Sequence, residues 1–390
     1  MERLNFQDER LWKSLLVLGI LLNILVCFTS DLGLDTQVKM AVDENGALPW
    51  GDLRPETIGE SDPSDGGKRT VLPLYGFPEA GIKAMALLTL LGLVACLHRW
   101  VGVHSAAILS LSPAFIFSVG RGYEEVYLAA FCTLSFILLT GIASTKNRIL
   151  QNLGGGLIFM LMPYAKGFTD LNGIIFGGLL LALLATVWGQ LHQRGGQMTQ
   201  WMIKPHIVSI AVCSLISLFM VILGIVEYNN TLAILADEPV RYMTAFVFSL
   251  LDVVILFTLF GMIAWPFVRP MLSAITSIED SDIALMAGYI TGLMTAIIFY
   301  VAALWTYEAS IWNAEWPGII WTMGNNGRYA TMLFIPLVLL LKHVSNHVEI
   351  PTYSSPDSKL KAMGITLILL LPLSLLASVH GQTMWTDEAA

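Results

Sequence analysis

The sequence predicts an all-α polytopic membrane protein with about 11 transmembrane helices. Of its 390 residues, 55% are hydrophobic and only 13% are charged, and the mean hydropathy is +0.69. Uninterrupted apolar runs recur along the chain, each close to the ~20 residues that a helix needs to cross a bilayer core. Because a soluble protein of this length has no need for such runs, composition and run length together predict the fold class.

The apolar runs form a single predicted transmembrane domain, residues 1–390. The first run is long and lacks the small-residue cleavage pattern of a signal peptide, so we interpret it as a span that is retained. The predicted spans cover residues 11–29, 80–98, 103–119, 126–143, 149–165, 171–190, 206–226, 243–265, 283–305, 329–342 and 362–379.

Charge asymmetry predicts the orientation of these spans. With a cytoplasmic N-terminus, the cytoplasmic side carries Arg3, Arg10, Lys13, Arg99, Lys146, Arg148, Arg194, Lys204, Arg269, Lys342, Lys359 and Lys361. The short outer loops carry far fewer cations, as the positive-inside rule expects. We therefore expect an integral protein of the cell membrane, with the lipid bilayer as a partner, an extracytoplasmic C-terminus and no nucleic-acid partner.

Two long extracytoplasmic loops are predicted, residues 30–79 and residues 306–328. The first is dense in acidic residues, and its start, "DLGLDTQVKMA", has a helical pattern. Its apolar positions are Leu34, Val38 and Ala41, and its charged positions on a neighbouring face are Asp31, Asp35 and Lys39. This spacing predicts a short amphipathic helix that lies along the membrane interface.

The charged face of this predicted helix is a candidate catalytic site. Asp31 and Asp35 lie one helical turn apart, so partial desolvation and mutual repulsion favour protonation of one of them. A carboxylate in this position can act as a general base or, with its neighbour, hold a divalent cation. Lys39 can modulate the pair or bind a phosphate. The alternative is a solvated helix face with an intrahelical ion pair.

A second candidate group lies at the start of the second span. Lys68 and Arg69 precede Pro73, Leu74 and Tyr75 by a few residues. Two cations beside an interfacial turn with a proline and an aromatic residue suit the phosphate of a lipid headgroup. The alternative, general anchoring at the interface, is equally compatible with the sequence.

This arrangement resembles the glycosyltransferase C superfold, which includes the protein O-mannosyltransferases and the bacterial lipid A aminoarabinose transferases. The resemblance rests on an Asp after the first span and on the Pro-Leu-Tyr element before the second. It implies transfer of a sugar from a polyprenyl or dolichyl phosphate to a lipid, protein or glycan acceptor on the outer face. Asp35 best matches the essential carboxylate of the family. Thr36 stands where the family often has a second acid, so Asp31 is the candidate for that role.

Three further segments resemble the same superfold. They are the outer connection "GRGYEEVY", the stretch "YAKGFTDLNG" and the late segment "NNGRYATMLFIP". The resemblance implies that the donor phosphate is held by cations from Lys68, Arg69, Arg121, Lys166 and Arg328. It also draws Lys39, Tyr75, Glu124, Glu125 and Tyr329 into the site. No residues are assigned to a metal, and the use of a divalent cation stays open.

Two other functions remain compatible with the sequence. A secondary transporter would place its coupling charges near the middle of the membrane, where Asp252 lies in the eighth predicted span. A non-catalytic membrane scaffold or lipid-binding protein would need neither the carboxylates nor the cations. The transferase interpretation therefore depends on Asp35 and on the basic groups around it.

Overall fold

The computed structural model describes residues 8–33, 36, 37, 40, 72–140, 148–165, 238–251 and 332–347, and twelve further positions at 286, 289, 290, 293, 294, 297, 298, 301, 302, 329, 371 and 372. The described residues are largely helical and contain no strand, which confirms the predicted all-α class for this part of the chain. Five of the eleven predicted spans lie wholly or mostly outside these residues.

The helices follow the predicted spans closely where the structure describes them. In chain order they are α1 (Glu9–Thr29), a 3-10 turn (Pro73–Gly76), α2 (Glu79–Trp100), α3 (Val103–Ser110), α4 (Pro113–Arg121), α5 (Glu125–Thr140), α6 (Arg148–Ala165), α7 (Pro239–Leu251) and α8 (Phe334–His347). By length and composition, α1 and α2 are able to cross a membrane, and α3 with α4 adds a third span if this bent pair counts as one. These helices are consistent with membrane association.

Helix α1 is apolar on both its buried and its exposed face. The buried face contains Trp12, Gly19, Leu22, Asn23 and Val26. The exposed face contains Val17, Leu21, Leu25 and Phe28, of which Phe28 is 84% exposed. In water an exposed apolar stripe of this length would favour association, whereas lipid tails accept it without cost. The exposed stripe is therefore the face of α1 suited to lipid.

The third predicted span, residues 103–119, is broken in the structure. Helices α3 and α4 meet at an angle of 56°, so the prediction of one span holds only if the bent pair is counted as one. Pro113 begins α4, and Ser112 before it adopts an extended conformation with φ −63° and ψ 123°. A proline disfavours helical geometry in the residue before it, and this explains where the helix stops.

The Asn23 side chain donates to the backbone carbonyl of Ser110, which lies at the break between α3 and α4. Its Nδ2 donates to the Ser110 carbonyl at the end of α3 and to the Gly19 carbonyl within α1, both at 2.8 Å. Gly19 allows this approach, because a Cβ at this position would overlap the Ser110 side chain. The pairing matters because an unsatisfied carbonyl in an apolar interior costs free energy.

The later helical residues attach to the same core through tyrosine and serine hydroxyls. The Tyr289 hydroxyl lies 2.5 Å from the Ser135 hydroxyl and donates to the Cys132 carbonyl at 3.1 Å. Its ring stands edge-on to Phe136 and to Phe159, with both centroid distances at 5.4 Å. Tyr289 therefore lies between α5 and α6 and joins the later part of the chain to both helices.

Replacing Asn23 with leucine should lower the stability of the protein by about 1 kcal/mol, the usual size of an interhelical hydrogen bond in a membrane protein. Leucine keeps the side-chain volume but leaves the Ser110 carbonyl without its donor. Thermal unfolding in detergent measures the effect. Thr89→Ala is the control, since the Thr89 hydroxyl bonds only within its own helix on an exposed face. Equal melting temperatures for Asn23→Leu and the parent protein would contradict this account of the break.

Candidate functional site

Four helix ends meet at one end of the bundle, here called the Ser30 end. It comprises Ser30 after α1, the first residues of α2, Arg121 at the end of α4 and Glu125 at the start of α5. The Lys83 ammonium donates to the Ser30 carbonyl, and the Tyr127 hydroxyl donates to the Ile82 carbonyl at 3.2 Å. At the opposite end Trp12 contacts His104, with ring centroids 4.7 Å apart. Successive described helix ends thus alternate between the two ends of the bundle, and the extracytoplasmic position of the Ser30 end stays a prediction.

The described residues after α1, here called the exit segment (residues 30–33, 36 and 37), dock onto the end of α4. The Gly33 amide donates to the Arg121 carbonyl at 3.1 Å, and the Thr36 hydroxyl donates to the same carbonyl at 2.9 Å. The amides of Thr36 and Gln37 both donate to the Gly33 carbonyl at 3.0 Å. Thr36, Gln37 and Met40 are helical. Asp31, Leu32 and Gly33, the first positions of the predicted amphipathic helix, are not helical, and its other positions, 34, 35, 38, 39 and 41, lie outside the described residues.

Two glycines permit this close docking. A Cβ at Gly33 would overlap the buried Tyr123 ring. Gly122 adopts a left-handed conformation with φ 66°, and a Cβ there would lie 2.8 Å from Ile82 Cγ2. Only glycine adopts this conformation without strain, so the turn between α4 and α5 depends on it.

Arg121, a predicted phosphate-binding residue, is buried at this turn. Its side chain is only 3% exposed, and its guanidinium lies 4.0 Å from the centroid of the Phe117 ring. The Phe117 ring in turn contacts Tyr123, with centroids 5.6 Å apart. A guanidinium stacks on aromatic rings, and because it is more weakly hydrated than an ammonium, its burial costs less free energy.

Glu124 and Glu125 place two carboxyl groups directly after this arginine. Glu124 is 0% exposed and Glu125 is 1% exposed. The Glu124 carbonyl accepts from the Leu128 amide at 2.8 Å, so Glu124 occupies the N-cap position of α5. The positive end of the helix dipole favours acidic groups there. Buried acids are nonetheless costly, so their presence in an apolar bundle marks this turn as a candidate functional site.

Tyr75 and Tyr329 lie in the apolar core that extends from the Ser30 end. Tyr75 belongs to the 3-10 turn Pro73–Gly76, and its side chain is 1% exposed. It shares one contiguous core with Ile82, Val119 and Tyr329. The Pro-Leu-Tyr element thus packs against the bundle at the start of α2.

The predicted carboxylates are only partly described. Asp31 follows Ser30 directly, is exposed, and takes part in no ion pair within the described part of the chain. Six predicted site residues lie outside the described residues: Asp35, Lys39, Lys68, Arg69, Lys166 and Arg328. Asp252, the residue that favoured a transporter, also lies outside them. The structure therefore brings Asp31, Arg121, Glu124 and Glu125 to the same end of the bundle.

Lys83, a buried cation at this end, was not among the predicted site residues. Lys83 belongs to the first turns of α2, and its ammonium pairs with Glu79 at 2.5 Å. Its Nζ also donates to the Ser30 carbonyl. The available signal was its position inside a predicted span, since an ionisable residue there usually faces the protein interior.

A metal site is not apparent among the described residues. No three His, Cys, Asp or Glu side chains in the described ranges lie close enough together to hold an ion. Most acidic residues of the first outer loop lie outside these ranges.

Comparison with protein-family models, curated proteins and solved structures found no match to this chain. The class that the described fold supports is an α-helical protein with two or three helices fit to cross a membrane.

Replacing Gly33 with alanine should destabilise the protein by about 1–3 kcal/mol, because the new methyl group would overlap the buried Tyr123 ring. Thermal unfolding measures the change. Gly92→Ala is a matched control, since a Cβ at Gly92 meets nothing within 4 Å and alanine is the better helix former. A Gly33→Ala variant as stable as Gly92→Ala would show that the docking of the exit segment is not tight.

Proposed function

We propose that this protein is a membrane glycosyltransferase that uses a polyprenyl or dolichyl phosphate sugar as its donor. It moves the sugar to a lipid, protein or glycan acceptor at the Ser30 end of the bundle. The proposal rests on the resemblance of the first outer loop to the glycosyltransferase C superfold and on the contents of the Ser30 end.

The observation that carries the proposal is the docking of the exit segment against the turn that contains Arg121. The Gly33 amide and the Thr36 hydroxyl both donate to the Arg121 carbonyl. These contacts support the proposal because they join the residues on either side of Asp35 in the sequence to the candidate phosphate-binding turn, more than 80 residues further along the chain.

The proposed chemistry needs few protein groups. A polyprenyl phosphate is a good leaving group, so the protein must activate the acceptor, neutralise the phosphate and align the two. Asp35 takes the proton of the acceptor, and Asp31 supplies the second carboxylate. Cations from Lys68, Arg69, Arg121, Lys166 and Arg328 stabilise the charge that develops on the departing phosphate. Holding the reactants in place supplies much of the remaining rate enhancement.

The position of the buried charges favours a transferase over a secondary transporter. A transporter places its coupling charges near the middle of the membrane. Among the described residues, Lys83, Arg121, Glu124 and Glu125 are buried and charged, and all four lie at or near helix ends. This placement suits a headgroup at the membrane surface.

Asp35→Asn should abolish sugar transfer, with a loss of at least about 100-fold, because an amide cannot accept the proton of the acceptor. The measurement uses a strain that lacks this gene. That strain should lose one glycan product and accumulate its polyprenyl-phosphate sugar, and the parent gene should reverse both changes while Asp35→Asn reverses neither.

Asp252→Asn is the control for a transporter, since it removes the ionisable group expected near the middle of the membrane. It should restore the glycan product as well as the parent gene does. If Asp35→Asn restores the product and Asp252→Asn does not, the transferase proposal is wrong and a transporter is favoured. All variants are compared at equal amounts of protein in the membrane.

A further inference from the structure

Lys83 binds the backbone of Ser30, the residue that follows α1. Its Nζ donates to the carbonyl of Ser30, the residue that caps the C-terminus of α1. The same ammonium pairs with the carboxylate of Glu79, one turn earlier in α2, at 2.5 Å. One side chain thus joins the end of α1 to the start of α2.

The environment explains why a lysine is favoured here. The Lys83 residue is only 7% exposed, so its charge needs partners. The last carbonyl groups of a helix have no partner within the helix and carry partial negative charge, which attracts a cation. Glu79 is 54% exposed at its side chain and lets the pair reach solvent. The Lys83 ammonium therefore donates to the carbonyl at the end of α1, and the Glu79 carboxylate balances its charge.

Lys83 is the first of two anchors along the exit segment. It fixes Ser30, and Asp31 is the next residue. The second anchor is the Arg121 carbonyl, which accepts from Gly33 and Thr36. In the sequence, Asp31 therefore lies between the two anchors. Asp35 lies between Gly33 and Thr36, the two residues that form the second anchor.

We propose that Lys83 is a positioning residue that fixes Ser30 and Asp31, and with them the start of the chain that leads to Asp35, relative to the Arg121 turn. This inference rests on the proposed transferase function. Lys83 does not touch the reacting atoms in this proposal, because its ammonium is occupied by Ser30 and Glu79. It acts by fixing the backbone at Ser30, directly before Asp31.

The first test measures the anchor without any transfer assay. Hydrogen exchange of purified full-length protein in detergent reports the backbone amides of residues 30–37. Lys83→Met keeps the length of the side chain and removes its charge, and it should raise exchange at the Gly33, Thr36 and Gln37 amides by about tenfold. Lys83→Arg keeps a cationic donor and should restore much of the protection.

Lys13→Met is the matched control. Lys13 also pairs with a glutamate one turn earlier, Glu9, at 2.9 Å, but these side chains are 60% and 64% exposed. Exposed pairs of this kind contribute little, so Lys13→Met should leave exchange in residues 30–37 unchanged. Unchanged exchange in Lys83→Met as well would overturn the inference.

The second test measures transfer from the polyprenyl-phosphate sugar that accumulates in the deletion strain. Lys83→Met should lower kcat by about 10-fold to 100-fold and leave KM for the donor nearly unchanged, because a displaced base slows chemistry more than binding. Lys83→Arg should recover part of kcat. Raised exchange with an unchanged kcat would overturn the positioning role. Full activity of Asp35→Asn in the same assay would instead overturn the proposed function itself.

Discussion

The Arg121 carbonyl accepts two hydrogen bonds, and the structure of the Ser30 end depends on them. The donors, the Gly33 amide and the Thr36 hydroxyl, belong to the segment that follows α1. Without this contact the chain after α1 would leave the bundle with its backbone groups unpaired beside an apolar core. Because α4 ends at Arg121, the Arg121 carbonyl accepts from the segment after α1 and not from a later amide of its own helix, so the end of α4 provides the docking point.

Charged side chains are buried at the Ser30 end, and because their burial costs free energy, they make this end a candidate functional site. A bundle that served only to fill a membrane would place apolar residues at the turn between α4 and α5, yet Arg121, Glu124 and Glu125 are all buried there. Charged groups in such positions require partners and are retained where they bind or react. The cation on the Phe117 ring and the acids at the start of α5 are groups of the kinds that a phosphate-linked sugar and its acceptor would need.

Some of this structure could be predicted from the sequence. Run length gave the positions of α1 and α2, and Pro113 within the third predicted span was a signal for the break that the prediction did not use. Asn23 and Lys83 also lie within predicted spans. Whether such residues face a partner or the lipid depends on how each helix is rotated against its neighbours. That rotation is set by contacts such as Gly19 with Ser110, which connect residues distant in sequence.

The central claim is that the Ser30 end, with its acidic exit segment, lies on the extracytoplasmic side. Labelling of intact cells with a membrane-impermeant maleimide tests it most directly, in a protein whose four cysteines, Cys27, Cys96, Cys132 and Cys213, are replaced by alanine. Asp31 and Glu9 are exposed at opposite ends of the bundle. The account predicts that Asp31→Cys reacts in intact cells and that Glu9→Cys reacts only after the cells are permeabilised. The reverse pattern would contradict it.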